Sequence, residues 1–254
     1  MDDPVPLSLA HARRFAWPIP DLWHSASLSE HDLRAYYRFR RQFMDLKPHV
    51  DPDKDWAYFA AWVKAADYCW FERSRGHLHA ACAFKIEPRV HQGRPLTLVW
   101  AEYLYSRPGS RKSLGLAGAM VTALTLAVAR SPRAPVYVVG AGYVASSIAL
   151  AQVFDSVWFH DEPTMSPWEQ SLWRSLAGAT AGYDPATKLV TLGTVPRNPR
   201  TTPPVNPKVY EAWHRYVTHN PAWFEGTACF CMGRLERSML TNTLHWFRRR
   251  LQRT

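Results

Sequence analysis

The run Ser106-Arg107-Pro108-Gly109-Ser110-Arg111-Lys112-Ser113-Leu114-Gly115-Leu116-Ala117 has the residue types and spacing best suited to chemistry. It follows a strand-like stretch and opens a long apolar one. Small residues at a helix start let a ligand approach the backbone, and the first-turn N–H groups, unpaired within the helix, point at it. Arg111 and Lys112 add positive charge beside those donors. The chemistry that fits is binding of a phosphate or pyrophosphate, although ordinary helix capping explains the same residues without a ligand. A P-loop requires Gly immediately before Lys-Ser, where Arg111 stands. A dinucleotide fingerprint needs three glycines in one βα turn, and Gly109 and Gly115 are spaced wrongly for it.

Other constellations lead to blander readings. In Asp51-Pro52-Asp53-Lys54-Asp55, Trp56 stands where a calcium loop requires Gly and Trp62 where it requires a bidentate Glu. The acids there read as charge at a helix start. Cys229-Phe230-Cys231 lacks a second Cys pair or a His at ligand spacing, so these are expected to be buried thiols and no metal site is expected. Cys69 and Cys82 read as packing residues. No Gly-x-Ser-x-Gly elbow occurs, and no His is followed by Asp five residues later.

The elements that must position the loop follow from periodicity. Residues 1–26 are Pro- and aromatic-rich and are expected to pack on the body in extended form. Ser29 and Asp32 form a capping-box start, with Leu33, Tyr36, Tyr37, Arg40 and Phe43 at helical spacing, and the helix should end before Pro48. A second helix spans about Trp56 to Ala66. Strands follow at Asp67–Glu72 and His77–Ile86 around a turn at Arg73–Gly76. A polar break at Glu87–Pro95 precedes a third strand, Leu96–Tyr105. The loop then opens a helix from Leu114 to Ala129, apolar nearly all round and so expected to be buried. Val136–Val139 reads as an interior strand, Ala145–Phe154 as a helix, and Val157–Phe159 as a strand. Beyond lie a helix at Pro167–Ala179, a strand at Lys188–Val195, a Pro-rich connection from Pro196 to Pro207, and helices near Val209–Thr218 and Leu235–Leu251.

Lys112-Ser113-Leu114-Gly115-Leu116-Ala117 resembles the acyl-CoA pyrophosphate loop of the GNAT acetyltransferase superfamily, Arg/Gln-x-x-Gly-x-Gly/Ala, with Lys112 in place of the usual Arg or Gln. The element order from Ser29 to Phe159 is similar too. The resemblance implies an α/β fold, a mixed central sheet flanked by helices, here with an additional helical C-terminal segment. The expected division is an acyl-CoA-binding core with its N-terminal extension over 1–195, then a connection and helices packing on it over 196–254. The resemblance implies that backbone N–H groups of Lys112, Ser113, Leu114, Gly115, Leu116 and Ala117 hold the pyrophosphate with Arg111 nearby. Pantetheine would lie along Leu104, Tyr105 and Ser106, and the thioester between that strand and Val136–Val139, which splay apart in this superfamily. Glu102 matches in position a glutamate that some members use as base, with His79 a further candidate. The family's acid is often a Tyr on the helix after the later strand. That helix has none here, which leaves Tyr143 or Ser146. The activity implied is acyl transfer from acyl-CoA to a small-molecule or peptide amine by direct attack, without a cysteine intermediate. A non-catalytic acyl-CoA or phospho-ligand binding protein on the same scaffold is the alternative, and a basic nucleic-acid or membrane-surface adaptor is a third.

Composition bounds these readings. The chain has 254 residues, a formal charge of +10, 47% hydrophobic and only 20% charged residues, which excludes a disordered polymer. The N-terminus lacks a basic region followed by an apolar stretch, so no secretory signal is read. The Leu114–Ala129 stretch is short of the roughly 20 residues a spanning helix needs. A cytoplasmic protein is the expectation. Six arginines between Gly233 and Thr254 stand against one acid, so half of the net charge lies in the last helix. The Arg234–Arg253 face suits an anionic surface, and nucleic acid is the less favoured partner.

Overall fold

The computed structural model describes residue 7 and residues 22–107, 114–144, 150–151, 154, 156–160, 162–199 and 202–236. Its centre is a nine-stranded mixed sheet. The strands are β1 (Leu22–His24), β3 (Tyr68–Ser74), β4 (His77–His91), β5 (Arg94–Ser106), β6 (Val136–Gly142), β11 (Thr227–Arg234), β9 (Leu189–Thr191) and β8 (Tyr183–Asp184) in spatial order, with β7 (Ser156–Trp158) also pairing β11. A separate ladder joins β2 (Met44–Leu46) to β10 (Thr194–Pro196).

Helices cover both faces. On one face lie α1 (Glu30–Arg40), α2 (Pro52–Ala65) and α4 (Pro167–Gly178); on the other, α3 (Leu114–Arg130) and α5 (Pro207–His219). The Ser29–Asp32 capping box starts α1 as expected, and Asp51 caps α2 with Pro52 in its first turn. Tyr36 and Phe39 of α1 and Phe59 and Val63 of α2 bury against Cys69, Phe71, Ala81 and Ala83. On the opposite face α3 presents Ala119, Ala123 and Ala127, spaced by four residues, to Cys82, Phe84, Val99 and Val138. Short side chains along that stripe let the helix sit close to the sheet. Over residues 119–128 the expected burial of this apolar helix holds, every position being buried or half-buried, while Ala129 and Arg130 are exposed.

Several boundaries differ from expectation for identifiable reasons. Glu87–Pro95 is not a break: β4 and β5 stay paired from Ala80/Ser106 to His91/Arg94. Gln92 and Gly93 turn the hairpin with φ of 49° and 74°, the double left-handed signature of a tight hairpin turn. Lys85, Glu87 and Arg89 alternate along β4 and pair as ions at 3.4 and 3.9 Å, so the polar residues mark a wet strand face. Pro88 is tolerated because β3 pairs no further than Phe84, leaving β4 one neighbour at that point among the described residues. The single strand expected at Lys188–Val195 is two, β9 and β10, which join different sheets.

The largest miss is β11, which had no counterpart in the sequence reading and lies between β6 and β9. Cys229 and Cys231 face the α3 side, while Phe230 and Met232 face the α4 side. With both faces buried, the polar–apolar alternation that betrays a strand is absent. Residues beyond 196 thus give the sheet an inner strand as well as α5 on its face. Arg234, read as the start of a basic helix, instead ends β11 and pairs with Glu169 and Glu236 at 2.9 and 2.6 Å. Most of the expected Ala145–Phe154 and Leu235–Leu251 helices, and residues 1–21 apart from Leu7, lie outside the described residues.

The β8–β9 hairpin closes on Gly182, at φ +79°, whose carbonyl accepts from Thr191 N–H at 2.8 Å. A Cβ there would sit 2.4 Å from the Thr191 carbonyl oxygen. Gly182→Ala is therefore expected to destabilise by more than about 1 kcal/mol in urea unfolding, although its position is exposed.

Candidate functional site

The parallel pairing of β5 with β6 lasts only from Thr97/Val136 to Trp100/Val139. Past that point β5 stays with β4 and β6 stays with β11, and the two strands part. The sheet opens into a V whose facing edges have no ladder partner among the described residues. A bulge accompanies the divergence: Ala83 opposes Glu102 and Ala81 opposes Tyr105, so Tyr103 and Leu104 share the single residue Cys82. Tyr103 has φ +53°, an unfavourable value for a side-chain-bearing residue, and Tyr36 Oη donates to its carbonyl at 2.7 Å. Tyr103 and Tyr105 both pack towards the α1–α2 face, while Leu104 packs towards α3.

A cavity of about 410 Å³ occupies the V. Glu102, Tyr103 and Tyr105 of β5 form one wall, Gly140 of β6 and Tyr143 a second, and Arg40, Asp55 and Tyr58 of the early helices a third. Thr180, Leu192 and Thr194 complete it from the segment after α4.

Glu102 is the chemically distinctive group. Burial pushes its carboxyl up to about 7, with Lys85 opposing the rise. Its carboxylate has no hydrogen bond among the described residues. A carboxyl in that range exchanges a proton readily at neutral pH, as a general base requires. Behind it, Arg40 clamps Asp55 through two contacts of 2.5 and 3.0 Å, and Tyr37 Oη donates to the same carboxylate at 2.7 Å. The Arg40 and Asp55 side chains are 7% and 10% exposed, so this pair ties α1 to α2 at the cavity wall.

Of the residues singled out from sequence, Glu102, Leu104, Tyr105 and Tyr143 come together at the cavity. Tyr143 Oη donates to the Thr194 carbonyl at 2.5 Å, and burial pushes its hydroxyl up to about 12. Ser106 ends β5, where its Oγ donates to the Arg107 carbonyl at 3.4 Å. Leu114, Gly115, Leu116 and Ala117 form the backbone of the first turn of α3. Arg111, Lys112, Ser113 and Ser146 lie outside the described residues. His79 lies on β4 and does not line the cavity. The sequence reading missed Arg40, Asp55, Tyr58 and the Thr180–Thr194 wall. Arg40 did leave a signal: a charge inside the inward-facing stripe Leu33, Tyr36, Tyr37, Phe43 implies a buried partner. All four cysteines are buried and none forms a disulfide. Among the described residues no cluster of three or more His, Cys, Asp or Glu is placed to hold a metal ion, and no helix is long and apolar enough to cross a membrane.

The strand order, the one parallel pair among the described residues, which diverges, and the helix following β5 give the mixed sheet with flanking helices that the acetyltransferase resemblance implied. No protein-family model and no curated protein matches the chain. Solved structures overlap it in part, three of them as follows. A conserved protein of Enterococcus faecalis V583, described as a probable N-acyltransferase, aligns over 46% of this chain and 28% of its own, with 12% identity and a TM-score of 0.35. A predicted acetyltransferase from Clostridium acetobutylicum, solved with acetyl-CoA, aligns over 44% and 77%, with 16% identity and a TM-score of 0.34. An acyl-CoA N-acyltransferase from Pseudomonas aeruginosa aligns over 52% and 83%, with 18% identity and a TM-score of 0.32.

Proposed function

We propose that the protein transfers an acyl group from acyl-CoA to an amine within the β5–β6 splay. The observation that carries this reading is Glu102, raised to about 7 by burial at the wall of that cavity. The unpaired strand edges of the V offer N–H and C=O groups to an extended, amide-bearing chain such as pantetheine, a use of open strand edges familiar from peptide recognition. The acceptor reaches the cavity from the α1–α2 side, past Tyr58. The amine nitrogen attacks the thioester carbonyl, a C–N bond forms, and Glu102 takes the amine proton. The C–S bond then breaks, and Tyr143 protonates the departing thiolate after releasing Thr194. Lys112 to Ala117 and Arg111 hold the pyrophosphate at the start of α3.

A second reading is favoured by one observation. The Tyr143 hydroxyl proton is already engaged by the Thr194 carbonyl, which suits a scaffold that binds acyl-CoA without turning it over. Tyr143→Phe separates the two: roughly tenfold loss of kcat with unchanged CoA affinity marks an acid, since a positioned proton donor contributes that much or more. Thermal stabilisation by CoA and acetyl-CoA tests both at once. A ligand that binds only the folded state must raise Tm. A clear shift at millimolar ligand is expected, and its absence would overturn both CoA-based readings.

A further inference from the structure

We infer a second ligand site, for a small phosphorylated molecule, at the end of the sheet opposite the splay. It is a cleft of about 460 Å³ where Arg94 at the start of β5, Arg133 before β6 and Arg234 at the end of β11 converge. Glu102 lies seven residues further along β5 than Pro95, roughly 23 Å at the rise of a strand, so this cleft is distinct from the candidate active site.

The three guanidinium groups have different roles. Arg234 is fixed in place by Glu169 and Glu236, which neutralise most of its attraction but leave it a rigid donor wall. Arg94 and Arg133 are exposed and have no ion pair among the described residues; Arg94 lies 5.9 Å over the Trp168 ring. The acid lining the cleft, Glu169, accepts from Tyr137 Oη at 3.1 Å, from Ser166 N–H at 2.9 Å and from Arg234, so its charge is already spent on partners. Two uncompensated guanidinium groups above a floor containing buried Tyr137 and half-buried Trp168 favour a compact dianion. Guanidinium forks match phosphate oxygens in geometry, and a partly dry floor strengthens charge-assisted bonds. The volume admits a ligand of metabolite size.

Calorimetric titration with pyrophosphate at fixed ionic strength, read for the binding step that Arg94→Glu or Arg133→Glu weakens, tests the inference. Wild type is expected to bind one pyrophosphate in that step. Arg133→Glu and Arg94→Glu are each expected to weaken it roughly tenfold, the scale of one charge-assisted contact, while folding normally because both sites are exposed. Arg38→Glu, the same charge change on the exposed face of α1, is expected to alter it by less than about twofold, as screening at ordinary salt requires. Absence of binding by wild type, binding indifferent to Arg94 and Arg133, or equal weakening by Arg38→Glu would each overturn it.

Discussion

Glu102→Gln is expected to lower kcat by roughly 10²–10⁴-fold, the range for loss of a positioned general base, while CoA affinity stays within about twofold. The substitution keeps size and shape and removes the ability to take a proton together with the charge of the ionised form. A linked effect separates catalysis from structure. The Glu102 carboxyl is raised by burial in the folded state, to about 7 from an ordinary value of 4.5. Its contribution to stability is therefore complete below its unfolded value and is lost as pH rises through the folded one. At pH 8.5 the native protein holds an ionised carboxylate in a site that disfavours it. Glu102→Gln is accordingly expected to raise Tm at pH 8.5 and to change it little at pH 4. A variant that is more stable and yet inactive is the mark of a group kept for chemistry. The wild-type kcat/KM profile should rise with pH around an apparent value near 7 on its acid limb.

Asp55→Ala is expected to be among the most destabilising single substitutions in the α1–α2 layer, costing about 3–5 kcal/mol in urea unfolding. It leaves the Arg40 guanidinium buried without its anion and removes the acceptor for Tyr37. The clamp is not thereby a large net contributor to stability. Replacing both members, Arg40→Met with Asp55→Leu, is expected to recover most of the loss, because an apolar pair has no charge to desolvate. The double variant then reports on the role of the pair at the cavity wall: acceptor KM should change more than CoA affinity.

How far the chain could be read in advance depends on where each residue's partners lie. The cap of α1 was legible because Ser29 and Asp32 are three residues apart and satisfy one another. The β3–β4 hairpin was legible from local patterning. β11 was not, since Cys229, Phe230, Cys231 and Met232 are buried on both faces and show no alternation. Glu102 could be placed on its strand by resemblance, but its surroundings depend on the bulge at Tyr103, which no period encodes. The Thr180–Thr194 wall was beyond reach because its contacts are distant in sequence: Tyr143 meets Thr194, and β10 meets β2. The excess of positive charge also divides differently from expectation, since Arg234 belongs to a sheet-end cleft rather than to a basic helix.

The most direct test of the central claim is amide hydrogen exchange of the whole chain with and without acetyl-CoA. Ligand seated in the splay is expected to slow exchange in residues 101–106 of β5 and 139–143 around the end of β6, and at the start of α3, with β3 and β1 unchanged. Protection confined to the Arg94–Arg133–Arg234 cleft, or no protection anywhere at saturating ligand, would contradict it.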